Sequence, residues 1–174
     1  MESILRAIET DIKNKNWYGA LVLSLVVPDI CGKLENPTLG SKERYIVWFN
    51  KYLTNKYGTH LLADDCYALR CSYIHEGTNV VEHQSARKVL DKFVFLSQGT
   101  AHCCHIQNID FGGTSDDLKN ILQLSVETFC NDMIESARKW LSDIQSINAI
   151  RERIAGMLKI EDKLTVGNGT IRFE

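Results

Sequence analysis

Apolar residues recur every three or four positions along most of the chain, which predicts a mainly helical protein. The first helix is expected over residues 2–14, where isoleucines are spaced by four positions. A nearly continuous apolar run, residues 20–27, is typical of a central helix. Pro28 is expected to kink or end that helix. The glycine, asparagine and proline content of residues 31–41 predicts a loop there.

The remaining helices are predicted from the same periodicity and from capping residues at their ends. Gly77 is expected to end one of them in the left-handed conformation that glycine adopts without strain. The longest should carry Leu118, Ile121 and Leu122 on its buried side. The predicted bounds are residues 41–58, 61–76, 114–141 and 146–159, with Thr114 or Ser115 capping the third.

Two segments have the composition of β-hairpins. Residues 92–111 place β-branched and aromatic residues on both sides of a turn that contains glycine, which predicts a hairpin insertion. The tail, residues 160–174, should form a second hairpin that turns at Gly167, Asn168 and Gly169. We therefore expect a single domain, residues 1–174, of mainly α class: a helical bundle with one or two small β-hairpins.

Composition and charge limit the classes of function. A net charge of −2 over 174 residues gives no general attraction to nucleic acid or to anionic membranes, so nucleic-acid chemistry would need a local basic site. The six cysteines include no CxxC pair, which favours free thiols in a reducing compartment. The charged N-terminus has no signal-peptide pattern, and the apolar run is shorter than the roughly 18 residues that span a bilayer. These features predict a cytoplasmic protein without a membrane partner.

The segment ALRCSYIHEG, residues 68–77, holds an arginine and a histidine five positions apart. The dipole at the end of a helix favours the protonated form of a histidine such as His75, which suits it to general acid–base chemistry near neutral pH. The guanidinium of Arg70 matches a phosphate or a developing phosphorane. Such a pair suffices for metal-free transesterification of RNA, in which a 2′-hydroxyl attacks its own phosphorus.

Helix geometry limits this hypothesis. Five residues at about 100° each place Arg70 and His75 roughly 140° apart around a straight helix, so they do not share a face. Either the helix unwinds just before its terminal glycine, or two copies of the helix meet across a two-fold axis and form a symmetric site, which we favour. In the structural alternative, Arg70 pairs on the surface with Asp64, Asp65 or Glu76, and His75 caps the helix end.

The segment LRCSYIHEG resembles the R-x4-H motif of the HEPN superfamily, and also the LRCxxxHxG version of compact bacterial members. The upstream segments ALVLSLVVPDICGKL and YIVWFNKYL and a long helix after residue 114 are similar to that version. The similarity covers about residues 1–145. The motif itself is short, and its specificity comes from its place near the end of a helix in a small helical protein.

The resemblance implies a HEPN-like helical bundle that dimerises along the motif helix and acts as a metal-independent endoribonuclease, with no cofactor. Arg70 and His75 would be catalytic, with Cys71, Ser72 and Tyr73 in supporting or substrate-positioning roles. The RNA products would carry a 2′,3′-cyclic phosphate and a 5′-hydroxyl. Many active members have Asn, Asp or His directly after the arginine, and Cys71 departs from that pattern because a thiol is a weak hydrogen-bond donor.

Proteins of this kind often act as toxins or antiviral effectors, so an antitoxin or sensor protein is a further expected partner. Two hypotheses compete with a homodimeric ribonuclease. One is a non-catalytic HEPN-like domain that binds a partner protein or a nucleotide, and the other is a helical interaction protein without a site. Loss of RNA cleavage on replacing the arginine and the histidine would separate the first hypothesis from these two.

The segment AHCCHI, residues 101–106, suggests a metal site because imidazole and thiolate groups bind zinc. On a strand, His102 and Cys104 would face one way and Cys103 and His105 the other. A four-ligand site would therefore need partners from elsewhere in the chain, at no recognisable spacing. We expect no metal at this segment.

Overall fold

A computed structural model describes residues 1–99, 101–106 and 120–160, together with the backbone of two strands at residues 164–166 and 169–171. The described part of the chain is mainly helical, as predicted. Its helices are α1 (Glu2–Lys13), α2 (Trp17–Glu35), α3 (Ser41–Tyr52), α4 (Thr54–Tyr57), α5 (Ala63–Glu76), α6 (Val126–Ile144) and α7 (Asn148–Ala155). Its strands are β1 (Lys92–Leu96), β2 (Cys104–Ile106), β3 (Ile121–Ser125), β4 (Leu164–Val166) and β5 (Gly169–Ile171).

Helix α2 is the centre of the fold and packs against α1, α3, α5, α6 and α7. It continues through Pro28 to Glu35, so of the two outcomes expected at Pro28, a kink or an end, the end does not occur, and most of the loop predicted over residues 31–41 was wrong. A proline inside a helix costs about 3 kcal/mol, and the burial of most of this apolar helix outweighs that cost.

The same helix is the one described segment whose length and composition would allow it to cross a membrane. In this fold 56% of its most apolar window is buried inside the protein. Its apolar residues are therefore accounted for by contacts with the neighbouring helices.

The strands form a different arrangement from the predicted hairpin. In the three-stranded sheet the order is β1-β3-β2, with β1 parallel and β2 antiparallel to β3. The hairpin predicted over residues 92–111 was therefore wrong, because β3 lies between its two strands; residues 107–111 lie outside the described residues. Ile121 and Leu122 are adjacent and both buried, as are Leu124 and Ser125, so burial along β3 does not follow the strict alternation that would distinguish a strand from a helix.

Helix α6 consequently begins at Val126 and not near residue 114. The side-chain oxygen of Ser125 caps it by accepting a hydrogen bond from the backbone N–H of Thr128 at 3.3 Å. The predicted caps Thr114 and Ser115, and Leu118, lie outside the described residues. At the C-terminus, α7 is shorter than the predicted 146–159, and β4 and β5 pair antiparallel as the predicted hairpin requires. The positions of Gly167 and Asn168 in its turn are outside the described residues.

Candidate active site at the end of helix α5

Helix α5 carries the ALRCSYIHE segment and is anchored by its apolar face. Cys66 and Leu69 are buried, and α5 packs against α3 and α2. Gly77 ends the helix with φ 69°, as predicted, and its N–H donates to the carbonyl of Tyr73 at 3.1 Å. The last turn is therefore fully helical, and the unwinding considered from the sequence does not occur.

The side chains of Arg70 and His75 nevertheless meet within one chain. Nη1 of Arg70 lies 3.2 Å from Nε2 of His75. The expectation that only unwinding of the helix or a second copy could bring them together was wrong, because it considered the directions of the Cα–Cβ bonds and not the length of the arginine side chain. A second copy is therefore not needed to bring this arginine and this histidine together.

The partner of Arg70 is Asp29 of α2, which sequence reasoning missed. Nε of Arg70 donates to Oδ2 of Asp29 at 2.6 Å, and both side chains are largely buried. The two residues are 41 positions apart, so no local pattern connects them. A signal was present all the same, because a carboxylate inside an apolar core helix requires a charged or hydrogen-bonding partner.

The acids considered as surface partners of Arg70 have other contacts. Asp64 pairs with Lys42 at 3.4 Å. The buried carboxylate of Asp65 accepts hydrogen bonds from backbone N–H groups of residues 88–90. Glu76 is bound to His83 at 2.7 Å. The alternative in which Arg70 pairs with an acid of its own helix is therefore wrong, because Arg70 pairs with Asp29 of α2 instead.

Asp29 is held in turn by the start of α3. Oγ of Ser41 donates to Oδ1 of Asp29 at 3.2 Å, and Nη2 of Arg44 donates to Oγ of Ser41 at 3.4 Å. This arrangement depends on close contact between α2 and α3 at Gly32, where a Cβ atom would lie only 2.7 Å from the carbonyl oxygen of Arg44. The connected side chains Asp29, Ser41, Arg44, Arg70 and His75 are called the Arg70 network below.

The charge of this network is well defined. Partial burial lowers the pKa of Arg70, but the neighbouring carboxylate of Asp29 and a contact with Cys71 outweigh that effect, and the pKa is raised. A guanidinium can only donate, so Nε2 of His75 must be the acceptor in the contact with Arg70. The contact therefore belongs to a neutral imidazole that carries its proton on Nδ1. Because His75 is exposed, its ring is open to a ligand.

Three of the four residues between this pair, Cys71, Ser72 and Tyr73, were expected to support the site, and they occupy different environments. Cys71 is partly buried beside Arg70 and Tyr67. Ser72 is fully buried, and its hydroxyl has no hydrogen-bond partner among the described residues. Because Ser72 does not reach the surface, its expected substrate-positioning role is not supported by its position. Tyr73 is half-buried against the core, and burial, with a contribution from Tyr18, raises the pKa of its phenol.

A second group of polar side chains surrounds His102. Nδ1 of His102 accepts a hydrogen bond from the backbone N–H of Ser125 at 3.2 Å, and Nε2 lies 3.9 Å from Oδ2 of Asp132. Asp132 also accepts from Tyr57 at 2.9 Å and pairs with Lys56 at 2.9 Å. We call Lys56, Tyr57, His102 and Asp132 the His102 cluster. Burial lowers the pKa of His102 and outweighs the opposite effect of Asp132.

The rest of the AHCCHI segment does not converge on one point. Only Cys104–Ile106 is a strand, and Cys103 has a left-handed backbone with φ 58°. His105 is bound to the backbone carbonyl of His60 at 2.8 Å. Within residues 1–99, 101–106 and 120–160, no group of three or more His, Cys, Asp or Glu side chains is arranged to hold a metal ion.

Comparison with models of known protein families, with curated proteins and with solved structures gives no match for this chain. A functional interpretation therefore depends on the geometry of the Arg70 network and on the resemblance of the α5 motif. Of the two polar groups described, the Arg70 network is the one that holds an exposed imidazole at contact distance from a cation.

Proposed function

We propose that this protein is a metal-independent endoribonuclease of HEPN type. The observation that carries the proposal is the contact of 3.2 Å between Arg70 and an exposed His75, in the motif that resembles that superfamily. The ion pair with Asp29 at 2.6 Å holds the guanidinium in place. Nε of Arg70 binds Asp29, Nη1 contacts His75, and the side chain has a further contact with Cys71, so a phosphate would bind the guanidinium by replacing the contact with His75 at Nη1.

In the proposed reaction, Arg70 donates to a non-bridging oxygen of the scissile phosphate and so stabilises the charge that develops there. When the phosphate takes over Nη1, Nε2 of His75 becomes free and removes the proton of the 2′-hydroxyl. The 2′-oxygen then bonds to phosphorus, and the bond from phosphorus to the 5′-oxygen breaks. His75, once it has taken up this proton, or a protonated His75 of a second copy, donates a proton to the leaving 5′-oxygen, and the products are a 2′,3′-cyclic phosphate and a 5′-hydroxyl.

A homodimer is part of this proposal and would bring two such pairs into one cleft. Tyr18, Val22 and Asp29 lie on one face of α2, since their spacings of 7 and 11 residues are close to whole turns of a helix. Tyr18 is 76% exposed and Val22 37% exposed, so this face offers apolar surface about 10–16 Å along the helix axis from Asp29. A second copy is the occupant that the motif resemblance favours.

The biological setting follows from the resemblance alone. We expect a cytoplasmic toxin or antiviral effector whose substrate is RNA, with an antitoxin or sensor protein as a further partner. Cys71 stands where active members often have Asn, Asp or His, so Cys71→Asn is expected to raise the cleavage rate if the neighbour of the arginine contacts the phosphate.

The test is cleavage of total RNA by purified protein in the presence of EDTA. Cleavage that ends in 2′,3′-cyclic phosphates, and that Arg70→Ala and His75→Ala each abolish, supports the proposal. Matched controls are Arg138→Ala and His60→Ala, which remove an exposed arginine and an exposed histidine whose contacts lie outside the network. A folded, dimeric wild type that does not cut RNA would contradict the proposal and favour a non-catalytic binding domain.

A further inference from the structure

A cleft of about 510 Å³ lies on another part of the molecule. Its walls come from the α1–α2 connection, from the loop after β1 and from the first turn of α6, and it is lined by Ile12, Lys13, Lys15, Trp17, Ser97, Gln98, Gly99 and Glu127. Trp17 begins α2, and Asp29 follows 12 residues later, about 18 Å along the helix axis. The cleft is therefore separate from the Arg70 network.

The position of the cleft follows from the sheet. Strands β1 and β3 run parallel and end in register at Leu96 and Ser125, so the chain leaves both carboxyl ends on the same side. The segments that follow, residues 97–99 and Glu127, form one wall. The carboxyl ends of parallel strands are the usual position of ligand clefts in such sheets.

The lining combines positive charge with an aromatic surface. Lys13 and Lys15 are exposed, and neither forms an ion pair within the part of the chain that the structure describes. Trp17 is half-buried and packs against the core, which fixes its ring as part of the wall. Ser97 and Gln98 supply hydrogen-bond donors and acceptors. Glu127 adds a carboxylate that can accept from hydroxyl or amino groups but would repel a phosphate placed beside it.

We infer that this cleft binds a nucleoside phosphate, either free or as one unpaired nucleotide of an RNA strand. Two ammonium groups suit a phosphate, and an indole ring suits stacking of a base. Ser97, Gln98 and Glu127 can bind the hydroxyl groups of a ribose or the edge of a base. Inorganic phosphate would leave the aromatic wall unused, and an apolar ligand would leave two ammonium groups unpaired. The volume lies within the range of 300–1,000 Å³ that is usual for small-molecule sites.

Tryptophan fluorescence gives a direct readout. Trp48 and Trp140 are 1% and 0% exposed, so Trp17 is the indole that a ligand in this cleft would quench. The probes are a nucleoside monophosphate, the same nucleoside without phosphate, and a short single-stranded oligonucleotide whose 2′-deoxy backbone prevents cleavage. The test variant is Lys13→Gln with Lys15→Gln. Its matched control is Lys139→Gln with Lys159→Gln, which removes two exposed lysines elsewhere.

We expect quenching by the monophosphate or by the oligonucleotide, and at least about fivefold weaker binding to the Lys13/Lys15 variant, with the control within about twofold of wild type. The nucleoside should bind more weakly than its monophosphate. Quenching by the monophosphate identifies a free nucleotide as sufficient, whereas quenching by the oligonucleotide alone shows that the cleft requires a nucleotide within a single strand. Absence of quenching by both at millimolar concentration, or quenching that the Lys13/Lys15 variant does not weaken, would overturn the inference. Neither result depends on cleavage by Arg70 and His75.

Discussion

The Arg70 network and the His102 cluster each combine a histidine, an aspartate and a cation, yet the two imidazole rings differ in their exposure to solvent and in their contacts. In the network, Asp29 binds the guanidinium, and the exposed His75 is reached by the other side of that guanidinium. In the cluster, Asp132 is occupied by Tyr57 and Lys56, and Nδ1 of His102 is occupied by the backbone N–H of Ser125. The same residue types therefore form an open site in one place and a structural contact in the other.

This difference shows that a histidine near an aspartate is, by itself, weak evidence for a catalytic site. The distinguishing features are the exposure of the ring and its direct contact with a guanidinium. The His102 side chain is 21% exposed and joins the loop before β2 to the β3–α6 junction, so its contacts serve the fold. The predictions below treat the network as functional and the cluster as structural.

The largest effect on stability is expected for Gly32→Ala. The new Cβ would lie 2.7 Å from the carbonyl oxygen of Arg44, so α3 must move away from α2 and Ser41 must lose its contact with Asp29. We expect a loss of about 2–3 kcal/mol in the free energy of unfolding in urea, and reduced RNA cleavage.

Gly156→Ala is the control for this change, because its Cβ would meet nothing closer than 3.6 Å. Its unfolding free energy should stay within about 0.5 kcal/mol of wild type. Equal stability of the two variants would contradict a network built by close packing of α2 on α3.

Asp29→Asn and Asp132→Asn should separate the two regions. Asn at position 29 keeps the size of the side chain but removes the charge that holds Arg70, so we expect roughly tenfold slower cleavage and a loss of about 1–3 kcal/mol in stability. Asp132→Asn weakens the contacts with Lys56 and Tyr57 and should lower stability by about 1 kcal/mol, with cleavage unchanged. If Asp132→Asn slowed cleavage as much as Asp29→Asn, the distinction between site and structural contact would be wrong.

How much of this was predictable differs between the two regions. The motif helix was predicted to within two residues, and Gly77 as its end, because an amphipathic period and a terminal glycine are local signals. Asp29 was missed because its partner is 41 positions away, and the contact with His75 because helical angles do not describe side-chain length. The prediction of the sheet failed for a related reason: β3 follows β2 in the chain but lies between β1 and β2 in the sheet, and its apolar pattern also fits a helix.

The acid sensitivity of folding should depend in part on His102. Burial lowers the pKa of His102, so the unfolded chain, with a pKa of about 6.5, takes up the proton more readily than the folded one. The contribution of this residue to stability is complete above pH about 6.5 and is lost as the pH falls through the lower folded value.

Urea unfolding of wild type and His102→Gln at neutral and mildly acidic pH measures this effect. The loss of stability on acidification should be smaller in His102→Gln than in wild type. His83→Gln is the matched control, since that histidine is exposed. An unchanged or larger acid loss in His102→Gln would contradict the assignment of a neutral, partly buried ring.

The smallest effect is expected for Ser72→Ala. The hydroxyl is buried without a partner among the described residues, so its removal should leave stability unchanged or raise it by up to about 1 kcal/mol. RNA cleavage should also be unchanged, because the side chain does not reach the surface. Thermal unfolding and cleavage rates of the variant check both points. Slower cleavage by a stable Ser72→Ala protein would show that Ser72 does contribute to the site.

The central claim is that Arg70 and His75 of this protein act together on one RNA phosphate. A double-mutant cycle on the cleavage rate in EDTA tests it most directly, with Arg70→Ala, His75→Ala and the combined variant. The account predicts a loss of about 10²–10⁴ for each single change and a combined variant no slower than the slower single one, as for residues that work as a unit. Losses that multiply in the combined variant, or cleavage that survives either single change, would contradict it.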